Sequence, residues 1–98
     1  MDSQRIIELA KQHEDEIRGR GVTYLALFGS IARGDARDDS DVDIVVEIEP
    51  GRKFSVIDHA SLRVLLCDIF QRETDVVVGH ALRPGFRDAV ARESIRVF

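Results

Sequence analysis

Apolar positions recur along the chain with two different periods, and the switches between them mark out the elements. Over residues 3–18, Ile6, Leu9, Ala10, His13 and Ile17 fall on one side at helical spacing while Glu8, Lys11, Glu14 and Arg18 turn away. This predicts an amphipathic helix, stopped near Gly19-Arg20-Gly21. His13 lies beside the apolar stripe and reads as a packed or half-exposed histidine. Val22 to Phe28 is β-branched, aromatic and apolar on both faces, the pattern of an interior strand. Gly29-Ser30 ahead of Ile31-Ala32-Arg33 supplies the start of a short helical turn over 29–34. Asp35 to Ser40 carries three acidic residues and no large apolar one, which predicts an exposed loop with Asp35, Asp38 and Asp39 as solvated turn formers.

A second strand follows over 42–48, with Val42, Ile44, Val46 and Ile48 on one face, and it ends at the turn signal Glu49-Pro50-Gly51. Leu62, Leu65, Leu66 and Ile69 stand at i, i+3, i+4 and i+7, which predicts a helix over 54–70 laid on a sheet, with Asp58 and His59 toward solvent. Thr74 to Val78 reads as a short strand, and Pro84 suits the first turn of a helix over about 85–93. The tail Ile95-Arg96-Val97-Phe98 alternates and fits a short edge strand or a docking segment. Together these elements predict an α/β fold: a small mixed sheet of three or four strands, with helices mainly on one face and carboxylates at the uncovered end and face.

Length and composition narrow the classes. At 98 residues the chain has room for one domain over 1–98 and one modest core, and 44% hydrophobic with 33% charged residues is an ordinary globular balance. No apolar run approaches the roughly 18 to 20 residues that span a bilayer, and no basic segment followed by an apolar one opens the chain; the default compartment is the cytoplasm. The single Cys67 excludes an internal disulfide and a thiolate zinc site, and reads as a small core residue. A net charge of -4 argues against a surface built for nucleic-acid backbones, so no direct DNA binding is expected.

Candidate chemistry concentrates where the first strand meets the second. Side chains in a strand repeat direction every second residue, so Asp41 and Asp43 share one face. Two hard anionic ligands side by side suit Mg²⁺, which takes few carboxylates and keeps room for water and substrate phosphates. Gly29 lets the backbone approach a ligand closely, and Ser30 at the start of a helical turn offers a hydroxyl and free N–H groups to a phosphate. Arg33 either pairs with a loop carboxylate or reaches a triphosphate. Glu47 continues the Asp41 and Asp43 face two residues further on, as a rim residue. Asp75 lies among valines, and is either an edge-strand carboxylate facing water or a charge in need of a partner.

Gly29-Ser30, ten residues, then Asp41-Val42-Asp43 resembles the G-S-x10-D-x-D signature of nucleotidyltransferases of the DNA polymerase β superfamily. Gly-Ser-x-Ala-Arg-Gly-Asp followed by Ser40-Asp41-Val42-Asp43 is most similar to the minimal nucleotidyltransferase (MNT) domains. The resemblance spans nearly the whole chain, with specificity confined to the Gly-Ser and Asp positions. It implies that Asp41, Asp43 and Asp75 are catalytic and hold Mg²⁺, as two ions, with Asp75 also the candidate general base. It implies too that Gly29, Ser30, Arg33 and Ser40 bind the nucleotide, and that ATP is the donor of AMP to an acceptor hydroxyl.

MNT domains pair with HEPN-domain toxins, so the resemblance implies an antitoxin that modifies a HEPN toxin, in a homo- or hetero-oligomer. Larger nucleotidyltransferases hold the acceptor in an added domain, which this chain is expected to lack. Two alternatives are a non-catalytic antitoxin acting by stoichiometric binding and a small-molecule nucleotidyltransferase. The three acidic positions favour the enzyme over a pure clamp, since neutral residues there would leave binding intact.

Overall fold

In the computed structural model, which describes residues 2–98, the helices are α1 (Ser3–Gln12), α2 (Glu14–Gly19), α3 (Gly29–Arg33), α4 (Val56–Phe70) and α5 (Pro84–Glu93). The strands are β1 (Val22–Phe28), β2 (Val42–Ile48), β3 (Thr74–Val78) and β4 (Ile95–Arg96), in one sheet of order β3-β2-β1-β4. β1 runs antiparallel to both β2 and β4, whereas β2 and β3 are parallel. A parallel pair cannot be joined by a tight turn, and α4 supplies the crossover. The alternating tail forms the edge strand β4, and Val97 N–H donating to the Leu25 carbonyl (2.9 Å) carries the pairing on past Arg96. Among the described residues no helix is long and apolar enough to cross a membrane.

The two faces of the sheet differ. One packs Val22, Leu25, Leu27, Val42, Ile44, Val46, Ile48 and Val76 against Ile6 and Ala10 of α1, Ile17 of α2, and Leu62, Leu66, Ile69 and Phe70 of α4. The register slips between Val22 and Tyr24, and this irregularity brings Val22 and Leu25 to the same core despite their odd spacing. On the other face a small cluster of Ala26, Val45 and Val90 joins the sheet to α5. Helices therefore lie mainly on one face, as expected, but the carboxylate face is not bare: α5 covers part of it.

Several local readings change. The first helix is two helices, because His13 leaves helical geometry (φ -109°, ψ 17°) and its N–H donates to the Ala10 carbonyl. Ala10 and Ile17, on either side of the break, still pack into one core. α4 begins two residues later than predicted because Ser55 and Asp58 form a reciprocal capping box. His59 is half-buried rather than solvent-facing, and its Nε2 is 2.7 Å from the Val76 carbonyl, tying α4 to β3. Cys67 is half-buried rather than in the core.

Candidate active site

β1 delivers Phe28 beside Asp43 of β2, so the residue that leaves β1, Gly29, lies against the Asp43 side chain. Gly29 has φ +78°, and a Cβ there would lie within 2.9 Å of Asp43 Cγ. Only glycine accepts both the backbone conformation and the carboxylate packed on it. Alternation along β2 puts Asp41, Asp43, Val45 and Glu47 on the face that Val45 shares with α5. The parallel register then places Asp75 of β3 directly beside Asp43. Asp75 is exposed on an edge strand, as one reading allowed, and at the same time adjoins the paired acids. Asp41 is exposed just ahead of β2, and Asp43 is half-buried.

The electrostatics follow from that crowding. Partial burial pushes the Asp43 carboxyl above the ordinary carboxylate range, and the charges of Asp75 and then Asp41 push it further. Arg33 opposes the shift and Glu93 adds to it. The donor set is carboxylate oxygen, which suits a hard divalent cation, and a cation is what would relieve this repulsion. Among the described residues no three acidic, histidine or cysteine side chains are already gathered about one point in a ready-made ion cluster.

Next to the acids stands the Gly29–Arg33 turn. Phe28 gives α3 no side-chain cap, so nothing on that residue's side chain engages the first N–H groups of the helix; Ser30 lies half-buried in that first turn. Gly34 (φ +83°) ends the turn, and the Asp35 N–H closes back on the Ser30 carbonyl (3.0 Å). Ser40 has a structural partner: its Oγ accepts the Arg37 N–H at 2.8 Å, and its own N–H donates to the Arg37 carbonyl at 3.0 Å. The Arg72 guanidinium donates to the Asp38 carbonyl and ties this loop to the segment after α4.

Arg33 does pair with the loop carboxylate, its Nε being 3.3 Å from Asp35 Oδ2, and it also meets Glu93 of α5, its Nη1 being 3.4 and 3.5 Å from the two oxygens. Asp35 first, then Glu93, holds the guanidinium pKa above its ordinary value. Sequence reading missed Glu93. Its one signal was an acid at the C-terminal end of a predicted helix, where the helix dipole disfavours negative charge.

Glu47 is the rim residue expected, and it is fully engaged. It accepts the His80 N–H at 3.0 Å, lies 3.1 Å from His80 Nδ1, and meets Arg87 at 3.5 Å. It thereby pins residues 79–81 and α5 to β2. Two clefts lie apart from Asp41, Asp43 and Asp75. One of about 350 Å³ lies further along the same face, between Tyr24, Val45, Leu82 and Val90, and one of about 430 Å³ lies beyond the far end of β2, near Phe54 and His59.

Residues 7–97 match the family model described as Nucleotidyltransferase domain. Protein adenylyltransferase MntA of Thermococcus cleftensis is 34% identical over 95 residues, covering 96% of this chain and 94% of that protein. A solved structure provisionally described as a minimal nucleotidyltransferase superposes with a TM-score of 0.72 at 34% identity, covering 97% of this chain and 95% of that one. A complex of tri-AMPylated Shewanella oneidensis HEPN toxin with its MNT antitoxin gives a TM-score of 0.68 at 17% identity, covering 94% of this chain and 71% of that one. At that identity the likeness is one of fold.

Proposed function

The chain belongs to the nucleotidyltransferase-domain family and is a homologue of protein adenylyltransferases, and from that premise we propose that it transfers AMP from ATP to a hydroxyl of a HEPN-domain toxin, acting as the antitoxin. The observation that carries this reading is the register that sets Asp75 beside Asp43, with Gly29 packed on the same carboxylate. A donor's phosphates on α3 would then lie next to the acids.

Asp41, Asp43 and Asp75 are the residues that would hold Mg²⁺, which when bound supplies neutralisation of the triphosphate and acidification of the acceptor hydroxyl. Ser30 and the first N–H groups of α3 hold the outer phosphates, and Arg33 adds a positive charge beside them. Ser40 shapes the loop that carries Asp41 and keeps its hydroxyl hydrogen for the nucleotide. Asp75, open to solvent at the sheet edge, faces an arriving protein and takes the proton of its hydroxyl. The hydroxyl oxygen bonds to the α-phosphorus, the bond to the β-phosphate oxygen breaks, and pyrophosphate leaves. The complex of AMPylated HEPN toxin with a chain of this fold supports the choice of acceptor.

The test is the intact mass of a HEPN-domain toxin after incubation with Mg-ATP and a substoichiometric amount of the protein. The expected result is a toxin silenced, heavier by whole AMP increments, and still silent once separated. A toxin inactive only in the presence of at least one equivalent of the chain, and unshifted in mass, replaces transfer with occlusion.

A further inference from the structure

We propose that Glu93 is a positioning residue for the nucleotide: it clamps the Arg33 guanidinium from α5 and leaves Nη2 as the edge offered to a phosphate beside Asp43. This rests on the nucleotidyltransferase reading of the site. Arg33 is the last residue of α3 and Glu93 the last of α5, so the pair joins two elements 60 residues apart in the chain. Nε is engaged by Asp35 and Nη1 by both oxygens of Glu93, whereas Nη2 makes no hydrogen bond among the described residues. A guanidinium is rigid and planar, so holding two of its nitrogens fixes where the third points.

The placement of Glu93 has no local reason. It meets the negative end of the α5 dipole, which costs the helix stability. Its pair with Arg33 is exposed, with side chains 48% and 36% accessible, and pairs of that kind add little to folding. Both charges lie close enough to act on Asp43, in opposite directions. What the pair does accomplish is orientation of a cation at the edge of the acid site.

The sign of one measurement separates this role from charge alone. A carboxylate near a triphosphate repels it, so if Glu93 acted only through its charge, Glu93→Ala would tighten Mg-ATP binding. Release of the clamp predicts weakening by roughly tenfold, the scale of one charge-assisted hydrogen bond. Glu93→Gln, which keeps an acceptor oxygen, is expected between the two, and melting temperatures should stay close to wild type. Calorimetric titration of Mg-ATP is run on the full chain and on Glu93→Ala, Glu93→Gln, Arg33→Ala and the Arg33→Ala, Glu93→Ala pair. The double variant should bind like Arg33→Ala alone, because Glu93 acts through Arg33. Unchanged or tighter binding by Glu93→Ala, or losses that add in the double variant, overturns the clamp while leaving the nucleotidyltransferase reading in place. A wild-type chain that does not bind Mg-ATP overturns both.

Discussion

Along β2 the two faces of the sheet can be compared residue by residue. Toward α1, α2 and α4 it presents Val42, Ile44, Val46 and Ile48, all buried; toward α5 it presents Asp43, Val45 and Glu47, of which only Val45 is buried. The first face excludes water across its length and gathers the large side chains of three helices. The second is covered at one patch, and where the cover ends apolar residues give way to acids. Burial of apolar surface stabilises the fold on one side, and the other side keeps charges close together at a cost in stability. The division requires a strand whose alternation is strict, since a one-residue slip would drive Asp43 into the core.

The strongest way to break the comparison is to damage each face in turn. Asp41→Asn, Asp43→Asn should lower AMP transfer by on the order of 10³ or more, the loss expected from removing preorganised charges, yet leave cooperative unfolding intact. Leu66→Ala, at a fully buried position of α4, should cost about 2 to 5 kcal/mol. A domain of this size is stable by only about 5 to 15 kcal/mol. Circular-dichroism melts paired with transfer assays check both. An Asn variant that fails to fold, or a Leu66→Ala protein as stable as wild type, would erase the division of labour.

Gly29 lies where the two plans meet, and its substitution should affect both readouts. Gly29→Ala places a methyl against Asp43 in a backbone conformation that L side chains rarely adopt, so a loss of about 1 to 3 kcal/mol is expected together with a large loss of transfer. Gly34→Ala is the control. Its φ of +83° imposes similar backbone strain, but nothing lies within 4 Å of the added Cβ. It should destabilise by about 1 kcal/mol and keep most of its activity. Equal activity losses at the two glycines would show that backbone strain, rather than the contact with Asp43, explains the effect.

Much of this was legible from sequence because it rests on local rules. Period-2 alternation puts Asp41 and Asp43 on one face, β-branched runs mark the strands, and the glycine at 29 opens a helical turn. The rest depends on contacts between residues far apart in the chain. Asp75 beside Asp43 is a matter of parallel register, which no local pattern states, and Glu93 meets Arg33 only because α5 folds back over the carboxylate face. The break at His13 has no Gly or Pro to announce it. His59 looked solvent-facing because its helical position is polar, and its contact is a backbone carbonyl that the sequence does not display.

The subtlest expected effect concerns the stability cost of the acid face in the absence of metal. Burial, with the charges of Asp75 and Asp41, raises the folded-state pKa of Asp43 above its usual 3.8. Between the usual and raised values the native state binds more protons than the unfolded state, so this group makes stability fall as pH rises through that window. Above the window the whole penalty is present; below it the carboxyl is neutral in both states and the penalty vanishes. Asp58 carries the opposite sign, because the Ser55 capping box lowers its pKa: its contribution is present above the ordinary value and lost as pH falls. Since Asp58 is common to wild type and Asp43→Asn, it cancels in their difference. Asp43→Asn should therefore melt slightly above wild type at neutral pH, and the gap should close toward about pH 3, where an ordinary carboxyl is mostly protonated. Mg-ATP should then reverse the order at neutral pH, because a ligand stabilises only the form that binds it. A gap that persists unchanged in acid would mean that the Asn variant gains its stability from packing rather than from relief of charge repulsion.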